Sequence, residues 1–152
     1  MRKLISRLLD RWRGHPEEPS HIKTGRLGEK AAREHLVAAG LRFLTANYRT
    51  PRGEIDLVFR DQDCLVFVEV KTRSEGARTR PALAVDARKQ QRISRAAETY
   101  LRQIDTARAV WRFDVVEVFL VDDKISRIQH LKNVFELHPK RARGPWTYLT
   151  TG

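Results

Sequence analysis

Glu69 and Lys71 break into one strongly apolar run, Leu65 to Val70, and Asp56 breaks into another, Ile55 to Phe59. Two carboxylates held side by side repel, and ionising both in a partly buried place is costly unless a cation joins them. A hard divalent ion such as Mg2+ meets that need. It takes carboxylate oxygens, usually one or two from protein, and completes its shell with water and substrate phosphate. A lysine beside it can orient or help deprotonate an attacking water and offset the charge developing on the phosphate. Asp56, Glu69 and Lys71 are therefore the parts that phosphodiester hydrolysis requires. A Glu-Lys pair on the wet face of a hairpin would serve solubility alone, so the context of these residues decides between the two readings.

The elements that must position them read as a β-hairpin. Gly53 to Arg60 and Leu65 to Arg73 are rich in β-branched and aromatic residues, and Asp61-Gln62-Asp63 suits a tight turn. With Gln62 and Asp63 as the turn, Asp61 pairs with Cys64, and counting back sets Asp56 opposite Glu69 and Glu54 opposite Lys71. Ile55, Leu57, Phe59, Val66, Val68 and Val70 then form a core face, while Glu54, Asp56, Glu69 and Lys71 share the other. A slip of one residue would scatter both sets, so the pattern itself fixes the register. Glu54 is the alternative ligand if the register shifts.

The 152 residues suffice for one domain with a core, flanked by tails. Thirty Lys and Arg against nineteen Asp and Glu leave a net charge of +11, which points first to nucleic acid and second to an anionic membrane surface. Cys64 is the single cysteine, so no internal disulfide forms and a reducing compartment is expected. His15, His21, His35, His130 and His138 show no zinc-like spacing. No run reaches the length of a membrane span, and Ser6, Arg7, Asp10 and Arg11 interrupt any signal-like stretch at the start. A cytoplasmic location is expected, and a membrane partner is not.

Leu4, Ile5, Leu8, Leu9 and Trp12 fall at helical spacing among Arg2, Lys3, Arg7, Arg11 and Arg13, a short basic amphipathic helix that reads as a loosely folded extension. Gly14 to Lys23 reads as a linker. A helix follows, with Thr24 as N-cap, Gly40 as stop, and Gly28, Ala32, Leu36 and Ala39 on its packing face. Glu29, at the edge of that face, can lean toward the hairpin as a further carboxylate or pair with Arg33 one turn on. Leu41 to Tyr48 reads as a strand, and Arg73 to Arg80 as a polar loop. Asp86 caps a second helix to Gln103, with Ile93, Ala97, Tyr100, Leu101 and Ile104 as its stripe.

Between Thr72 and Arg95 stand seven basic and two acidic residues, so Arg73, Arg78, Arg80, Arg88, Lys89 and Arg92 are the candidate nucleic-acid contacts. Ala109 to Val121 is a long strand in which Arg112 and Asp114 share a face as a structural pair. A weaker strand spans Ile125 to Leu131, and Val134, Phe135 and Leu137 close the core. Pro139 to Gly152 is a basic tail carrying Trp146 and Tyr148. The organisation is an extension and linker over 1–23, a domain over 24–137 and a tail over 138–152. The element order α-β-β-β-α-β-β makes an α/β sandwich with a mixed central sheet flanked by helices.

Four blocks in this order resemble the YraN family of small bacterial proteins: Gly25-Arg-Leu-Gly-Glu29, Gly53-Glu-Ile-Asp56, Val68-Glu-Val-Lys-Thr-Arg73 and Arg112-Phe-Asp-Val-Val116. The resemblance spans roughly residues 22 to 137. It implies a restriction-endonuclease-like core similar to archaeal Holliday junction resolvases, with Glu29, Asp56, Glu69 and Lys71 at its Glu, Asp and Glu-x-Lys positions. Asp56 and Glu69 would hold Mg2+ or Mn2+, Glu29 would complete the site from the helix, and Lys71 would serve the attacking water. Ile55 stands where related nucleases often carry a proline. Resolvase-like enzymes commonly act as dimers, so the partners expected are DNA and a second copy of the chain.

The function expected is thus a divalent-metal-dependent DNA endonuclease, a hydrolase acting on phosphodiesters. Two alternatives stand beside it. One is a catalytically silent nucleic-acid-binding module; the other is a membrane- or ribosome-associated adaptor that uses the N-terminal basic helix.

Overall fold

The computed structural model describes residues 20–76, 86–104 and 110–135. Helix α1 (Ser20–Ala38) is followed by strands β1 (Arg42–Thr50), β2 (Gly53–Asp61) and β3 (Cys64–Ser74), helix α2 (Ala87–Gln103), and strands β4 (Val110–Val121) and β5 (Lys124–Phe135). The strands form one sheet in the order β1-β2-β3-β4-β5. Neighbours are antiparallel except β3 and β4, which run parallel over eleven pairs from Cys64↔Val110 to Ser74↔Leu120. Parallel neighbours need a crossover, and the segment containing α2 supplies it. The fold is α/β with a mixed sheet in the order expected.

Helices cover both faces. Ala32 and Leu36 of α1 pack on Leu57, Phe59, Val66, Val68, Val116 and Val118. Ile93, Ala96 and Ala97 of α2 pack on Ile55, Val58, Phe67 and Phe113. This corrects the expectation of a hairpin with one core face, because Val58 and Phe67 are as fully buried as Leu57 and Phe59. Strands covered on both faces read as continuous apolar runs, so alternation alone misassigns them. Ile55, expected beside Leu57, lies under α2 instead.

Helix α1 begins at Ser20, so Thr24 lies inside it and the last four residues of the expected linker are helical. Nothing in Ser20-His-Ile-Lys23 breaks a helix. Gly40, at φ 92°, ends it as expected, donating to Val37 O at 2.9 Å while Leu41 N donates to Leu36 O at 3.1 Å. Ala39 falls past the last turn and is exposed rather than packed. Asp86 caps α2 by accepting from Arg88 N at 3.2 Å. Strand β5 is longer than expected, because its edge position lets polar residues stand where an inner strand would need apolar ones. The N-terminal basic helix, Arg78, Arg80, Leu137, the side chain of Phe135 and the C-terminal tail lie outside the described residues.

The turn end of the hairpin is pinned by a buried polar network. Arg112 Nη2 donates to Asp61 Oδ2 at 2.8 Å, and Arg112 Nε to Asp114 at 3.0 Å. Asp114 also accepts from Asn133 N at 2.9 Å and pairs with His130 Nε2 at 2.8 Å. Burial would push the Asp114 carboxyl up, but the His130 and Asn133 hydrogen bonds and the Arg112 charge outweigh it and hold the group below its ordinary 3.8. The expected Arg112–Asp114 structural pair is real and ties together β2, β4 and β5.

A folded-state pKa below the unfolded one contributes stability that is complete above the unfolded value and is lost as pH falls through the folded one. We expect Asp114→Asn to cost about 3 kcal/mol at neutral pH and to flatten the loss of stability below pH 3.8. Urea unfolding at several pH values would check both, and an unchanged acid limb would exclude Asp114 as its source. Both helices also meet the sheet through glycines. A Cβ on Gly28 would strike the Thr72 side chain, and one on Gly53 the backbone carbonyl of Arg92. A side chain can rotate away and a helix backbone cannot. Gly53→Ala should therefore lose about 2 kcal/mol or more and Gly28→Ala clearly less, as thermal melts would measure.

Candidate active site

Pairing between β2 and β3 runs from Asp61↔Cys64 to Leu57↔Val68 and stops there. Before Leu57, β2 stays with β1 down to Thr50↔Gly53; after Val68, β3 stays with β4 to its end. The sheet therefore forks. One side chain bridges the opening: Asp56 Oδ2 accepts from the Val70 N–H at 2.8 Å, supplying the partner that the ladder no longer provides. The expected register holds as far as the ladder extends. Beyond it, Asp56 and Glu69 lie beside one another in the fork, and Glu54 does not reach Lys71. Glu54 is exposed, 3.7 Å from Arg49; Lys71 stands next to Glu117 of β4.

The fork opens into a pocket of about 390 Å³ lined by His21, Thr24, Gly25 and Glu29 of α1, Asp56 of β2, Glu69, Val70 and Thr72 of β3, and Lys89 of α2. An unbroken sheet would separate α1 from α2. Here residues from helices on opposite faces line one space. Glu29, Asp56 and Glu69 are brought together as expected, and Lys71 is not among the lining residues. Glu69 is only 4% exposed, and its carboxylate is ion-paired with the Lys89 ammonium. Glu29 accepts from Asn47 Nδ2 at 3.3 Å. Arg33, its alternative partner, lies over the Phe43 ring at 3.8 Å.

Burial and then the charge of Glu69 push the Asp56 carboxyl up to about 7, against the pull of the Val70 hydrogen bond and Lys89. Burial also raises Glu29, partly offset by Asn47. Lys71 is lowered by burial, with Glu69 opposing. Lys89 moves the other way: burial would lower it, but the hydrogen bond and charge of Glu69 prevail. Three carboxylates thus face one lining ammonium, and the pocket is short of positive charge. Their oxygens suit a hard divalent ion. Among the described residues no three His, Cys, Asp or Glu side chains converge as a finished ligand set. Lys89 and Asn47 engage two of the three acids.

The expected nucleic-acid contacts divide. Arg73 Nε lies 2.9 Å from Glu117, and the two side chains are largely buried, which makes Arg73 a structural cation rather than a free phosphate contact. Its place within the long β3–β4 ladder sets it beside that acid. Arg88 and Arg92 are exposed on α2, while Lys89 belongs to the pocket. Sequence reasoning missed His21, Thr24, Asn47 and the pocket role of Lys89. For Lys89 a signal existed: Arg88 and Lys89 occupy a first turn with no acid, against the helix dipole.

These features define a class, a forked mixed-sheet α/β domain with a buried acidic pair at the branch. The chain belongs to the uncharacterised protein family UPF0102, whose model matches residues 28–118. It is 43% identical over 114 residues to a UPF0102 protein of Trichlorobacter lovleyi, covering 74% of this chain and 90% of that one. It is 44% identical over 115 residues to one of Alkaliphilus oremlandii, covering 74% and 97%. A third, of Syntrophus aciditrophicus, is 45% identical over 119 residues, covering 77% and 91%. The YraN resemblance fits this membership. Among the described residues no helix is long and apolar enough to cross a membrane.

An acid held well above its ordinary value destabilises the fold at neutral pH, and amide replacement removes that cost while keeping an oxygen for the Val70 N–H. In chelator, Asp56→Asn should therefore stabilise the protein by on the order of 1–3 kcal/mol. Denaturant titration at pH 7.5 measures this; a loss of stability would show that Asp56 serves the fold as an ordinary buried ion.

Proposed function

We propose that this protein is a divalent-metal-dependent DNA endonuclease of the Holliday-junction-resolvase-like type, with Mg2+ or Mn2+ as cofactor. The observation that carries the reading is the under-neutralised pair Asp56 and Glu69 at the fork of the sheet. A structural ion pair has no need of two acids in one pocket, and such perturbed groups cluster at functional sites. Asp56 and Glu69 would hold the metal, and Glu29 would complete the site from α1. When bound, the ion would polarise the scissile phosphate and lower the cost of forming hydroxide.

The chain's own residues would do the rest. Asp56 is fixed by the Val70 amide and so is held in one orientation beside Glu69. Lys71, one pleat beyond Glu69 on the same strand face, would orient the attacking water from the rim. Arg88 and Arg92, exposed on α2, would hold the phosphate backbone. The net charge of +11 supports a polyanionic partner. A homodimer would match a two-fold junction, and a cytoplasmic location accords with DNA as substrate.

Labelled four-way junction, flap, duplex and single-stranded DNA, each with Mg2+, Mn2+ or chelator, test the reading. Cleavage should require metal and fall by at least about 100-fold in Asp56→Ala and Lys71→Ala. No cleavage by wild type, with salt-sensitive binding alike in wild type and variants, would replace it with the catalytically silent binding module.

A further inference from the structure

Among the described residues, Lys89 is the one basic residue expected on the outer phosphate path that lines the acidic pocket. Its ammonium pairs with Glu69, which is almost wholly buried, while its own side chain is half exposed. The anchor is fixed and the cation has room to leave. Within its own helix its position offers little: it stands in the first turn of α2, where the dipole disfavours cations and the one nearby acid, the N-cap Asp86, is bonded to the Arg88 N–H at 3.2 Å. Glu69 is what holds it in.

We infer that Lys89 is the resident counter-ion of the metal-free site, and that a divalent ion takes its place on Glu69 and releases the ammonium toward the substrate phosphate. The inference rests on the metal-dependent reading above and adds a second lysine to it. A divalent ion and an ammonium on the two oxygens of one carboxylate repel, so an ion on Glu69 weakens the hold on the Lys89 ammonium. The released side chain belongs to the same helix as Arg88 and Arg92, both exposed, so its ammonium would join the cations proposed to hold the phosphate backbone. Lys89 thus compensates Glu69 without metal and joins the substrate contacts with it.

Mn2+ binding to the full chain, followed by electron paramagnetic resonance without DNA, tests the exchange in wild type, Lys89→Gln, Glu69→Gln and Arg92→Gln. Removing a competing internal cation should tighten Mn2+ about tenfold in Lys89→Gln, with Arg92→Gln unchanged and Glu69→Gln strongly weakened. A second readout uses wild type alone: amidination of Lys89, followed by mass spectrometry, should speed up when Ca2+ is added, while Lys30 stays constant. Equal or weaker Mn2+ binding in Lys89→Gln, or labelling of Lys89 that ignores Ca2+, would overturn the exchange even if wild type binds metal and cuts DNA. Mn2+ binding that is absent from wild type, or untouched in Glu69→Gln, would overturn the metal-dependent reading itself.

Discussion

The site depends on a ladder that stops. Two antiparallel strands with apolar residues on both faces would normally pair to their ends, yet β2 and β3 part after Leu57↔Val68. Each leaves with its other neighbour. The Val70 N–H, which the separation would strand, is taken by the carboxylate of Asp56. That hydrogen bond fixes the acid in the opening and satisfies the backbone at the branch. A residue without an acceptor there would leave a part-buried donor unpaired.

The fork also explains how α1 and α2 meet in one pocket although they lie on opposite faces. Close approach at both helices sharpens this. Gly28 lets α1 rest on Thr72, and Gly53 lets β2 touch the backbone of α2 at Arg92. The first contact sets Glu29 near the pocket, and the second sets the first turn of α2, with Lys89, over Glu69. Small residues act here by removing distance rather than by supplying flexibility.

The two ends of the hairpin treat buried acids in opposite ways, and the contrast separates structure from function. At the turn end Asp114 is surrounded by Arg112, His130 and the Asn133 amide, and its carboxyl is held below the ordinary range. At the fork Asp56 faces another acid and is pushed far above it. Compensation of the first kind is what a fold needs. A deficit of the second kind persists because apolar contacts on both faces of the sheet, Phe59 and Val66 under α1 and Val58 and Phe67 under α2, stabilise the domain independently.

The sequence by itself determined much of this protein. Apolar runs and punctuation at Gly40 and Asp86 located the helices and strands, and the tight turn at Gln62 and Asp63 set a register that holds to Leu57↔Val68, because local pairing follows from turn geometry. The charges at Asp56, Glu69 and Lys71 stood out for the same local reason. Only the tertiary structure decided where that register ends, which face Ile55 takes, and that Lys89 rather than Lys71 lines the pocket. It also decided that Arg73 is held by Glu117. Each of these turns on contacts between segments far apart in the chain, and a strand's period of two cannot report what lies across the fork from it.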